Sequence, residues 1–219
     1  MDHTEAAYAS ALHQAFPDHV LKAILLGIVD GYRVTPTACK KAMDLPDRHD
    51  VFGHIRRGKI NEQLRGVGDR HQIQCRDEFN SAGSACFLSM MSGEFRLAAH
   101  LVGRRRTRIR PARIREEWAA YNHDGRWGQF DFAATTASPL PAGGSFVAFL
   151  IHGPRGRHRD QPAFVEIVVP DNHLNTYIYR LDLFKRFPQV AVDVVRGRDQ
   201  QTRKLPRPKR NRGKEEGLA

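Results

Sequence analysis

Apolar positions along the chain follow two different periods. In the first third they recur every three or four residues. Ala7, Ala11 and Ala15 stand four apart before Pro17, and Val20, Leu21, Ile24, Leu25, Ile28 and Val29 keep the spacing of one helical face. Asp18 is the expected cap of this second helix and Gly31 its expected stop. Thr35-Pro36 reads as an N-cap followed by proline at the first helical position, opening a helix that ends near Met43. After Pro46-Asp47, residues Val51, Phe52, Ile55, Ile60 and Leu64 share a further helical face, interrupted by Gly53 and Gly58.

Near residue 83 the period shortens to two. Ala85 to Met91 and Phe95 to Val102 read as strands joined by the short turn Ser92-Gly93-Glu94. Pro111 opens a helix carrying Ile114, Trp118 and Tyr121. Gly128–Ala133, Ser145–His152, Ala163–Val169 and Val190–Val195 read as further strands. Tyr177, Tyr179, Leu181 and Leu183 alternate like a strand, with a helical turn possible from Leu181 to Phe187. The expected class is α+β: a helical region over 1–80, then a mostly antiparallel sheet with one or two helices over 83–195. The two regions are expected to form one compact domain. The tail over 196–219, nearly without apolar residues, is expected to be disordered.

Composition adds limits. A chain of 219 residues, 41% hydrophobic, is long enough to bury a sizeable core. It holds no run of 18 apolar residues, so no membrane span or membrane partner is expected. Residues 1–16 lack the charged start and apolar middle of a signal peptide. Cys39, Cys75 and Cys86 are too few for a disulfide framework, which points to a reducing, cytoplasmic setting.

Charge changes the picture most. The net charge of +11 is concentrated in two segments. Residues 104–115 hold seven arginines and no acid, and residues 196–219 hold nine basic residues against three acidic ones. Two basic segments on an otherwise neutral body point to a polyanion, with DNA the expected partner. If 104–110 is extended, Arg104, Arg106, Arg108 and Arg110 share one face, spaced about 7 Å apart like successive phosphates. Guanidinium is planar, permanently charged and bidentate toward phosphate, and Arg105 adds to the same strip. Arg113 and Arg115 flank Glu116 and Glu117 and read as partners in helix ion pairs. Arg155, Arg157 and Arg159 stand at alternate positions in a polar loop over 153–161. His152 and His158 flank that loop and read as solvated. The loop and the strip make one groove if they share a side of the protein.

Residues 35–57 also resemble a helix-turn-helix, with Ala38 and Ala42 inward, Leu45 in the turn, and Val51 and Ile55 anchoring the second helix. Arg48, His49, Arg56, Arg57 and Lys59 then face outward as groove readers. The alternative is a plain helical hairpin packed on the sheet.

Three strand acids carry a second class of chemistry. Glu166 shares its strand face with Phe164 and Val168, Asp131 lies between Phe130 and Phe132, and Asp182 lies between Leu181 and Leu183. A carboxylate on an apolar face must be paired, metal-bound or protonated. Two or three on neighbouring strands would hold Mg²⁺ for phosphodiester hydrolysis. Against the PD-(D/E)xK nuclease pattern the strand reads Glu166-Ile-Val168, with valine where lysine belongs, so that family is not assigned. The structural alternative for Glu166 is an ion pair with an arginine such as Arg180. No HExxH, P-loop, GxSxG or zinc-type cysteine spacing occurs, so no other cofactor is expected. The reading is a nucleic-acid-binding protein, with a Mg²⁺-dependent nuclease and a protein-interaction module as the alternatives.

Overall fold

Three helices lead the chain: α1 (His3–Ala15), α2 (Asp18–Ala42) and α3 (Arg48–His71). They are followed by β1 (Gln74–Phe79), β2 (Cys86–Ser92), β3 (Phe95–Leu101), α4 (Arg113–Ala119), β4 (Phe146–Arg155), β5 (His158–Pro170), β6 (Tyr177–Asp182) and the single turn α5 (Leu183–Arg186). Residues 188–194 are helical again. This is a computed structural model; it describes residues 3–42, 48–79, 86–93, 95–102, 109, 112–120, 122, 146–155 and 158–194.

The six strands form one sheet in the order β1-β2-β3-β4-β5-β6. Every neighbouring pair is antiparallel except β3 and β4, which run parallel with Leu101 opposite His152. The class is α+β, as the two sequence periods imply.

Alternation along the strands sorts side chains onto two buried faces. Leu97, Ala148, Leu150, Val165, Ile167 and Val169 face the helices. Against them lie Leu21, Ile24, Leu25, Ile28 and Tyr32 of α2 and Ile60, Leu64 and Val67 of α3. The opposite face carries Ala98, Val147, Phe149, Ile151, Phe164 and Val168, covered by Trp118 and Ala119 of α4 together with Ile109 and Leu174. Asn122 pins this cover to the sheet. It is fully buried; its amide donates to the carbonyls of Val147 (2.8 Å) and Pro170 (3.0 Å), and its Oδ1 accepts from Val147 N–H (2.8 Å).

α2 runs unbroken through both expected boundaries. Gly31 is not a stop but a close-approach point. A Cβ there would lie 2.6 Å from Ile60 Cγ1 and 3.0 Å from Ile60 Cα, so glycine lets α2 and α3 meet. Pro36 lies inside the helix rather than at the start of a new one. The buried face continues across it through Tyr32, Thr35 and Cys39, and the Thr35 hydroxyl donates to the Gly31 carbonyl at 2.6 Å. Packing on the sheet outweighs the hydrogen bond that proline removes. The expected helix-turn-helix is therefore a long helical hairpin laid on the sheet, with its connection outside the described residues.

Three further expectations change. β1 is a strand that the sequence did not reveal, because it is a charged edge strand without a continuous apolar face. Residues 190–194 are helical, not extended; Val190 and Val194, four apart, both reach the core. The polar loop expected over 153–161 is mostly strand, since β4 extends to Arg155 and β5 begins at His158. The expected strand at 128–133 and the tail over 196–219 lie outside the described residues. No described helix is long and apolar enough to cross a membrane.

Candidate functional site

The carboxyl ends of the parallel strands β3 and β4 open onto a cavity of about 430 Å³ between α3 and α4. Helical periodicity brings Gly53, Arg56, Arg57, Ile60 and Asn61 of α3 onto its wall. β3 contributes Ala99, His100 and Leu101, β4 contributes His152, and the start of α4 contributes Ile114 and Arg115. Among the described residues β3 and β4 are the one parallel pair of the sheet, so both strands end on the cavity side.

The lining is strongly one-sided in charge. It holds three guanidinium groups (Arg56, Arg57, Arg115) and three imidazoles (His54, His100, His152), and no acid among the described residues. Arg56 was expected to face outward. It is instead 4% exposed, with its guanidinium 4.5 Å from the Tyr32 ring centroid and 4.9 Å from that of Phe52. The two rings hold the cation in place through their π faces. Arg57 is exposed at the rim, with its guanidinium 3.2 Å from His54 Nδ1. Arg115 is half-buried; its Nε is buried with no hydrogen-bond partner, and burial pulls its pKa down from the usual value. An arginine remains charged all the same.

The two inner histidines are neutral at physiological pH. Burial, with the field of Arg115 and Arg57, pushes His100 down to about 3. Burial, with the field of Arg56 and His100, does the same to His152. His152, read from sequence as solvated, is 3% exposed, and its Nδ1 lies 3.0 Å from the Tyr32 hydroxyl. Burial raises the Tyr32 pKa, so the hydroxyl keeps its proton. With Tyr32 as donor to Nδ1, the imidazole proton rests on Nε2. The two inner histidines thus add no charge to that of the guanidinium groups. No serine, cysteine, lysine or carboxylate lines it among the described residues, and histidines this hard to protonate are poor general bases at neutral pH. The arrangement suits holding an anion.

The remaining candidates fall into three groups. Arg104, Arg105, Arg106, Arg108, Arg110 and Arg157 lie outside the described residues, but Leu101 and Ala112, which flank the arginine strip, both line the cavity. Arg155 is exposed at the end of β4, three residues beyond His152, so the 153–161 segment leaves the same end of the sheet. Lys59 turns away to Glu62 at 2.7 Å.

Glu166 and Asp182 stand directly opposite each other on β5 and β6. Glu166 is fully buried, and Arg180 donates to its Oε2 from Nε at 2.7 Å, the structural pairing considered from sequence. Asp182 caps α5 by accepting from the N–H groups of Phe184 (3.0 Å) and Lys185 (3.2 Å). Asp131 lies outside the described residues. Among the described residues no three His, Cys, Asp or Glu side chains converge as a metal-ligand set.

Of the cavity residues, sequence reasoning singled out Arg56 and Arg57, as outward-facing basic residues, and did not single out Asn61, His100 or the inward position of Arg115. The available signal was positional: His100 and His152 both stand near the ends of apolar strands. Arg113, by contrast, makes the expected helix pair with Glu117 at 2.8 Å. Comparison with protein-family models, with curated proteins and with solved structures found no match to this chain.

Proposed function

We propose that the protein binds nucleic acid at the end of its sheet where β3 and β4 terminate. One observation carries this reading. A cavity with three guanidinium groups and no acid among the described residues lies between the two flanks of the arginine-rich 104–110 segment. Arginines in such a setting give affinity and register through phosphate, not base choice. Arg155, at the same end, and the basic tail add further phosphate contacts in this reading.

The test is a gel-shift titration of labelled duplex and single-stranded DNA at 50 and 200 mM salt, with and without Mg²⁺. Displacing condensed counterions at six or more phosphates predicts a loss of about 10³-fold in affinity between those concentrations. No shift at low salt overturns the reading. Shortening of the label that requires Mg²⁺ assigns phosphodiester hydrolysis instead, with Glu166 and Asp182 the first residues to substitute.

A further inference from the structure

We propose that the cavity seats a single nucleotide bearing a phosphate monoester, so that the protein recognises the phosphorylated end of a strand. This rests on the nucleic-acid reading above and narrows it. Volume is the first argument. About 430 Å³ falls within the range for small-ligand sites and takes one nucleotide, not a duplex.

Charge is the second. A phosphate monoester carries roughly −1.5 to −2 charges near pH 7 and three acceptor oxygens. An internal diester has one charge and two free oxygens. Arg56, Arg57 and Arg115 surround the cavity with guanidinium charge, which favours the more highly charged monoester over the diester.

The third argument is the unsatisfied polar lining. Arg115 Nε and His100 Nε2 are both buried without a hydrogen-bond partner, and both residues line the cavity. Buried polar atoms are as a rule hydrogen-bonded, so two donors or acceptors of this kind on one wall are positioned to meet a polar ligand. The fourth is the rest of the wall. Ile60, Phe87, Leu101 and Ile114 give an apolar surface for a base or sugar beside the cationic end.

The experiment compares three probes by fluorescence competition: a single-stranded 12-mer with a terminal phosphate (5′ and 3′ versions), the same 12-mer with hydroxyl ends, and a free nucleoside monophosphate. Each is tested on the full chain and on Arg57→Ala and Arg115→Gln, with thermal melts to confirm folding. Arg57 is exposed, so its removal leaves the core intact; Arg56, packed on Tyr32, is left alone. At least tenfold preference for one phosphorylated 12-mer is expected, falling below threefold in both variants. Equal binding of phosphorylated and hydroxyl strands overturns the inference while leaving nucleic-acid binding in place. A preference that persists in both folded variants also overturns it, because the discriminating group then lies elsewhere. Binding of the free nucleotide alone, lost in Arg115→Gln, keeps the phosphate site and overturns the strand partner. Binding of none of the probes overturns both.

Discussion

The Tyr32 hydroxyl of α2 lies 3.0 Å from Nδ1 of His152 in β4, tying the helical hairpin to the strand end that lines the cavity. Both residues are buried, and the Tyr32 ring also carries the Arg56 guanidinium. One tyrosine therefore orients a histidine and a cation of the site. Tyr32→Phe keeps the ring and leaves the histidine nitrogen without its donor. It should cost about 1–3 kcal/mol in a urea unfolding experiment. A cost near zero would show that the hydroxyl does not act as the donor described.

Acid should destabilise the protein through the same histidines. In the folded state His100 and His152 titrate at about 3, far below the ordinary 6.5. Between these values the unfolded chain takes up protons that the folded protein refuses, so stability is complete above pH 6.5 and falls as pH drops toward 3. For His152 the loss reaches about 2 kcal/mol at pH 5. Asp18, held low by Arg186, adds a separate loss only as pH falls below its usual 3.8. Urea midpoints at pH 7.5 and 5 should differ, and His100→Leu should reduce that difference. An unchanged difference in His100→Leu would mean that His100 is protonated in the folded state.

Two glycines of the helical hairpin should respond in opposite directions. Gly31→Ala drives a methyl group into Ile60, side chain and backbone, and should destabilise by about 1–3 kcal/mol. Gly58→Ala meets nothing within 4 Å and should stabilise by about 0.5–1 kcal/mol by restricting the unfolded chain. Differential scanning calorimetry checks both. Equal shifts would contradict the close contact of α2 and α3.

The Glu166–Arg180 pair should behave as structure, not as a metal site. Arg180→Met removes an exposed guanidinium from the buried Glu166 carboxylate and should cost about 1–3 kcal/mol. Adding Glu166→Leu to it should restore much of that loss, since it removes the buried carboxylate whose burial without Arg180 is costly. Failure of the double variant to recover in chemical denaturation would point to a further role for the carboxylate.

The sequence made β2 to β5 readable because alternation there reflects two buried faces. β1 escaped because an edge strand such as Gln74–Phe79 needs no apolar face. Pro36 misled because local propensity argues for a break, whereas Tyr32, Thr35 and Cys39 bury a face that spans it. The site was half legible. Arg56 and Arg57 stand out in the sequence as basic residues, but the cavity they line is closed by groups distant in sequence. Bringing His100 beside His152 needs the parallel pairing of β3 with β4, which no local pattern encodes.

That parallel pairing also shapes how such a protein can diverge. Two side-by-side strands pointing the same way require residues 102–145 to carry the chain from one end of the sheet back to the other. This connection leaves beside the cavity, and its length is not fixed by any strand register. Within it, α4 and Asn122 are held by their packing on the sheet, so changes of length and charge are tolerated best on either side of them. One connection thus joins a fixed part, which covers the sheet, to flanks whose charge sets the field at the cavity mouth.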